Sequence, residues 1–354
     1  AGQCACSFPI NRYVFGIYRV GMTNSSGQEG GFVHLPVLAD RAPEELVWRR
    51  DGLYVDATFG RGGHTRRILA QLAPEGRLIA FDRDPEAIEA SRAITDPRFR
   101  IIHAPFSELC DRLAELGFGD GSVSGVLMDI GVSSPQIDDA QRGFSFRFDG
   151  PLDMRMDTST GENAAQWLAR ASESEITRVI DRYGEERFAR RIAKAIAEER
   201  KENPITTTRH LADLVAKTVP RSRGDSQQHP ATRTFQAIRI FINGELDELQ
   251  KALPEAGRLL EPEGHLAVIS FHSLEDRIVK QFFSDASNPG REIDPRIPLR
   301  ADELPAPLFQ PAKRIRPTEA ECAENPRARS ATLRVGVRTA APWSSSLLPE
   351  EMRK

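Results

Sequence analysis

The residues of this sequence best suited to chemistry are carboxylates that close short apolar runs. Asp56 ends Tyr54-Val55-Asp56, and the turn Gly60-Arg61-Gly62-Gly63-His64 follows a few residues later. Asp82 ends a second run, Arg77-Leu78-Ile79-Ala80-Phe81-Asp82. Glycines let the backbone approach a ligand, and a carboxylate at the second strand tip can accept both hydroxyls of a ribose. The layout suits a nucleoside-containing cofactor. A dinucleotide enzyme would prefer G-x-G-x-x-G, but Thr65 stands where the third glycine belongs. No Gly-Lys-Ser/Thr follows, which excludes a P-loop. S-adenosylmethionine has a ribose diol and a charged amino-acid end but no phosphate, and Asp56 with Asp82 match those needs better. The plainer alternative is an ordinary tight turn in an α/β protein.

Three further runs carry polar groups at candidate strand ends. Asp129-Ile130-Gly131-Val132-Ser133-Ser134-Pro135-Gln136 opens a long polar and aromatic loop that continues to Asp157. Amine methyltransferases place an acid or amide with prolines and an aromatic at this position. Here the acid is present and Gly-Val-Ser-Ser-Pro-Gln replaces the rest. In His229-Pro230-Ala231-Thr232-Arg233-Thr234-Phe235-Gln236-Ala237-Ile238-Arg239, a helix would put Arg233, Gln236 and Arg239 on one face. That face either contacts phosphate or is solvated. In Ser270-Phe271-His272-Ser273-Leu274-Glu275-Asp276-Arg277, His272 is either structural or part of an active edge.

These residues need a scaffold. Apolar runs at 52–59, 77–82, 99–104, 123–130 and 265–272 read as strands, with helical patterns at 63–73, 85–94 and 107–117 between the first four. Alternation of this kind implies a parallel sheet covered on both faces, with ligands at the carboxyl ends of the strands. Residues 331–337 read as a last, antiparallel strand. The connection between the strands at 123–130 and 265–272 is far longer than one crossover helix needs. Helical patterns near 162–170, 173–183, 185–200, 207–219 and 231–243 fill it and read as an inserted helical domain. It would bury Trp167, Ile176, Ile180, Phe188, Ile192, Ile196, Leu211, Leu214 and Val215. Residues 285–329 read as a long irregular connection.

The 354 residues are 40% hydrophobic and 28% charged, an ordinary globular balance. No run approaches the roughly 18 uninterrupted apolar residues that span a membrane. Cys4, Cys6, Cys110 and Cys322 form no C-x-x-C pair, which argues against a zinc site and a disulfide framework and fits a reducing, cytoplasmic setting. The net charge of −3 excludes a generic polyanion binder, yet arginines cluster at 182–191, at 221–239 and at 314–334. Residues 1–21 differ in composition from the rest, and Met22 is the expected natural start.

Together these runs are similar to the bacterial 16S ribosomal RNA cytosine-N4 methyltransferase family, the MraW-like small-subunit methyltransferases of type H. The likeness rests on His34-Leu35-Pro36-Val37-Leu38, on 56–65, on Phe81-Asp82-Arg83-Asp84-Pro85 and on Pro105-Phe106. It continues through the 129–157, 229–246 and 270–277 runs and through Arg316-Pro317-Thr318 and Asn325-Pro326-Arg327-Ala328-Arg329-Ser330. It covers about residues 33–338. The resemblance implies a class I, Rossmann-like methyltransferase sheet with an inserted all-helical domain. The implied division is an extension at 1–32, core at 33–160, insertion at 161–245, core again at 246–338 and a tail at 339–354. It implies S-adenosylmethionine as methyl donor, held by Gly62, Gly63, His64, Asp82, Phe106, Asp129 and Gln136. It implies as acceptor a decoding-centre cytidine of 16S rRNA in the small ribosomal subunit, with no metal and no membrane. The oligomeric state is left open.

Methylation at the exocyclic N4 needs an in-line approach and acceptors for the amino protons. Asp129 and Ser133 are the candidate catalytic groups, although Asp129 is also claimed by the cofactor. Arg233, Arg239 and His272 are candidate substrate contacts. Phe144, Phe146 and Phe148 are candidate stacking partners for an unpaired base. A DNA or protein amine methyltransferase and a non-catalytic RNA-binding protein are the rival readings.

Overall fold

The computed structural model describes residues 36–220, 229–290 and 305–344. The expectations about the extension at 1–32, Met22, the His34-Leu35 pair, Arg221 and Arg223, and residues 345–354 of the tail lie outside the described residues.

Helix α1 (Arg41–Leu46) leads into β1 (Leu53–Asp56). Strands β2 (Arg77–Asp82), β3 (Phe99–His103) and β4 (Val123–Asp129) alternate with α2 (Gly63–Gln71), α3 (Pro85–Ser91) and α4 (Leu109–Glu115). The chain then leaves the sheet through α5 (Ser134–Asp138), α6 (Ala164–Arg170), α7 (Glu173–Gly184), α8 (Ala189–Glu199), α9 (Thr208–Thr218) and α10 (Thr232–Asn243). It returns by α11 (Glu245–Leu259) into β5 (Leu260–Ser270), then α12 (Ser273–Ser287). An edge strand β6 (Lys313–Ile315), helix α13 (Glu319–Glu324) and β7 (Thr332–Val337) complete the described fold. The sheet order is β3-β2-β1-β4-β5-β7-β6, and β7 is antiparallel to both neighbours. This is the class I methyltransferase sheet. Order reverses between β1, which pairs with β2, and β4, which pairs with β1 and β5. A crevice therefore opens at the carboxyl ends of β1 and β4.

Alternation within the strands covers both faces. Val126 and Met128 point into one core with Val55, Phe81, Leu253 and Phe282, while Leu127 points into the other with Tyr54, Leu78 and Ile68. The helical stretch has a core of its own. Trp167, Ile176, Ile180, Ile192, Ile196, Leu211 and Val215 are buried there, joined by Leu152 and Met154 from the loop after β4. Phe188 and Leu214 are only partly buried, at the margin of that core. Two elements differ from the sequence reading. Strand β5 begins at Leu260, because α11 runs directly into it and a register shift separates Val123 and Gly125 on β4. Strand β6 lies inside the stretch read as irregular. Its three residues are mostly exposed and take their order from pairing with β7.

Candidate active site

The turn after β1 is locally determined. Gly60 and Gly62 have φ of 57° and 73°, a region that disfavours side chains. A Cβ on Gly62 would stand 2.8 Å from the Phe59 ring, and one on Gly63 would stand 2.9 Å from Pro36. The turn is pinned to the β2 tip, since Gly60 N donates to Asp82 Oδ2 at 2.7 Å and Asp84 N donates to Oδ1 at 2.9 Å. Burial pushes the Asp82 carboxyl above its ordinary range, against the pull of those two N–H groups. Asp56 does not share the ligand role that its strand-end position suggests. It is fully buried and accepts from Thr65 Oγ1 at 2.6 Å and Thr58 N at 3.2 Å. Desolvation raises its pKa to about 6. Its carboxyl holds the turn instead of a ligand.

A cleft of about 320 Å³ opens above these elements. Gly60, Gly63, Asp82, Phe106, Asp129, Ser133 and Gln136 all line it, so the structure brings together most of the residues expected from sequence. Gly62 and His64 lie behind this lining. The buried His64 ring sets Nε2 3.4 Å from Asp129 Oδ2, a long contact without hydrogen-bond alignment. Asp129 Oδ1 is buried and has no hydrogen-bond partner among the described residues. A carboxylate oxygen left in that state is costly unless a ligand donates to it. Both ends of the Gln136 amide are engaged inside the protein. Its Oε1 accepts from Ser133 N at 2.9 Å, closing the capping box of α5, and its Nε2 donates to Asp84 Oδ2 at 2.7 Å.

Asp84 and Arg142 were missed as site residues. Asp84 caps α3 ahead of Pro85, a local Asp-Pro signal that sequence displays. Its second oxygen also accepts from Arg142 Nη1 at 2.9 Å, and both side chains are almost wholly buried. Arg142 Nη2 then donates to the carbonyls of Arg155 and Met156. Asn243, at the end of α10, donates to Met154 O and accepts from Met156 N, each at 2.7 Å. Arg83 Nη1 donates to Asn243 O at 2.9 Å. The long loop, the β2 tip and the end of α10 are thereby one network. No local pattern announces partners so far apart in sequence.

The three candidate substrate contacts each have partners within the chain. Arg239 lines the cleft but is held bidentately by Glu245 at 2.8 Å, so its charge is already matched. Arg233 and Gln236 lie away from the cleft lining and donate to the carbonyls of Glu185 and Tyr183, satisfying the end of α7. His272 caps α12 and places Nε2 3.0 Å from Oε1 of the buried Glu275. Burial pushes the Glu275 carboxyl up, but His272, Arg239 and the Phe271 N–H outweigh it and hold the carboxyl below its usual range. His272 thus backs the wall made by Phe271. Of the three aromatics, Phe144 is buried under Arg142 and Phe146 packs 4.6 Å from the His229 ring and 4.8 Å from Phe235. Phe148 alone is open, at 59% exposure.

Among the described residues no group of three or more His, Cys, Asp or Glu side chains is placed to hold a metal ion, and no helix is long and apolar enough to cross a membrane. The cleft fits S-adenosylmethionine on its own terms. The glycine backbone suits the charged amino-acid end, Asp82 suits a ribose diol, and the Ala104-Pro105-Phe106 wall suits a flat base.

The model of the MraW methylase family matches residues 31–339. A protein of Chromobacterium violaceum called ribosomal RNA small subunit methyltransferase H is 59% identical over 314 residues, covering 88% of this chain and 97% of its own. Proteins of the same name from Aromatoleum aromaticum and Cupriavidus metallidurans are 58% and 57% identical, over 86% and 85% of this chain and 97% and 93% of theirs. A family match across nearly the whole described fold, joined to a cleft whose turn, acid and wall suit this donor, means that the chain belongs to the MraW methylase family and is an S-adenosylmethionine-dependent methyltransferase.

Proposed function

We propose that this enzyme methylates 16S rRNA of the small ribosomal subunit, in the cytoplasm, at N4 of a cytidine in the decoding centre. The observation that carries this reading is Asp129 Oδ1, a buried acceptor without a partner at the carboxyl end of β4. The N4 amino group is a poor nucleophile because its lone pair is delocalised into the ring. S-adenosylmethionine, when bound, supplies an electrophilic methyl group on a sulfonium. Asp129 Oδ1 accepts an N4–H, favours the nitrogen geometry that frees the lone pair, and takes up the proton released once the new N–C bond has formed. Ser133, capping α5 at the cleft wall, holds the loop that carries this acceptor.

The helical stretch 161–245 is the recognition unit in this reading. Arg182 on α7, Arg187 in the turn that follows, and Arg190, Arg191 and Lys194 on α8 are exposed, and Arg187 and Arg191 also lie over the Phe188 ring. Such a face suits phosphate, and Phe148 offers an open ring to a base. Arg233, Arg239 and His272 then serve as braces of the site.

Mapping methylated nucleosides by mass in 16S rRNA from cells without the protein tests the proposal. One N4-methylated cytidine should disappear and return when the gene does. An unchanged map would refute the substrate. Activity on naked DNA, with none on small subunits, would favour the DNA enzyme instead.

A further inference from the structure

We propose that Glu248 reads the base of the cofactor, accepting a hydrogen bond from the 6-amino group of its adenine. The inference rests on the cleft being the S-adenosylmethionine site. Glu248 lies in the first turn of α11 and lines that cleft. Its Oε2 is buried and accepts from no group among the described residues. An acceptor oxygen shut away from water and left unmatched loses free energy until a donor arrives.

Position points to which donor. Helix α11 packs against the turn Phe106–Glu108, which follows β3. Strand β3 adjoins β2 in the sheet, so a nucleoside with its ribose at Asp82 extends its base toward the end of β3. The wall there is Ala104-Pro105-Phe106. Those side chains cover the flat faces of a base but offer no side-chain acceptor, and Pro105 has no N–H. An adenine amino group buried against this wall needs an acceptor from elsewhere, and the Glu248 carboxylate supplies one. A carboxylate only accepts, so it also disfavours a base with a carbonyl oxygen at that position, such as hypoxanthine or guanine.

The test is calorimetric binding of two ligands to the full chain, S-adenosylhomocysteine and its 6-deamino purine analogue, which differs only by the amino group. Wild type should bind the adenosyl compound at least about tenfold more tightly. Glu248→Ala, a change that favours helix, should leave thermal unfolding intact and bring the two affinities within roughly threefold. A variant that keeps the wild-type ratio would overturn the assignment, as would a wild-type ratio near one. Equal weakening of both ligands in the folded variant would also overturn it. Failure of S-adenosylhomocysteine to bind wild type would refute the cofactor cleft itself, and with it this role of Glu248.

Discussion

The two halves of the cleft are built on different principles. The half around β1 and β2 is local. Gly60 donates to Asp82, Asp84 caps the next helix, and Asp56 ties its own turn through Thr58 and Thr65. The half around the 129–157 loop depends on partners distant in sequence. Arg142 reaches Asp84, Asn243 reaches Met154 and Met156, and Arg83 reaches Asn243. A local half can be shaped by one strand-turn-helix-strand segment, the longest of these contacts spanning 22 residues, before the rest of the chain arrives. The long-range half exists only once the sheet and the helical stretch have met. The comparison teaches that the two halves are coupled through Asp84, one of whose oxygens caps α3 while the other binds Gln136 and Arg142.

The largest effect should come from breaking that coupling. Arg142→Met leaves the buried Asp84 carboxylate without its ion-pair partner, a loss typically of about 3–5 kcal/mol. Denaturant unfolding should register it, and hydrogen exchange should show the 129–157 loop opening more than β1 and its turn. Uniform loss of protection across both halves would break the distinction drawn here. Next in size is Asp129→Asn, which keeps the shape but removes the proton acceptor. Turnover should fall about 100-fold or more while affinity for S-adenosylmethionine stays close to wild type. An equal fall in cofactor affinity would assign Asp129 to the cofactor and remove it from the proposed proton transfer.

A pH titration sharpens the local half. The folded-state pKa of Asp56 is about 6, above the ordinary value of 3.8. Its protonated form is therefore favoured by folding, so its stabilising effect is complete below about pH 4 and is lost as pH rises through 6. The loss amounts to about 3 kcal/mol at most, from roughly 1.4 kcal/mol per unit. Asp56→Asn should flatten the stability curve between those values. An unchanged curve would mean that another group sets it. The smallest of these effects is expected for Asp82→Ala, with S-adenosylmethionine bound at least about tenfold more weakly, since one charge-assisted acceptor contributes roughly 1.5–3 kcal/mol. Calorimetry that finds unchanged affinity in the folded variant would remove Asp82 from the ribose.

Legibility followed the same division. The glycine turn, Asp82 and the strand-helix alternation were readable because each is written within a few neighbouring residues. The helical stretch was readable because its apolar residues repeat at helical spacing, as Ile176 with Ile180 and Ile192 with Ile196 show. Strand β6 was not readable, because three mostly exposed residues among prolines have no period to detect. Arg233 and Arg239 looked alike on a helical wheel, yet one braces the end of α7 and the other binds Glu245. A wheel gives direction but not the neighbour.

The sequence by itself determined the sheet-and-helix alternation, the tight turn after β1 and the acids at the strand tips, together with the family likeness they carry. Those features depend on φ, on alternation and on caps, all of which act over one or two turns of chain. Only the tertiary structure decided that Asp56 is buried while Asp129 keeps an open oxygen, that Arg142 is locked to Asp84, and that Glu248 faces the cleft. Burial and pairing depend on which distant segments close over a side chain, and that is settled only when the parts have packed.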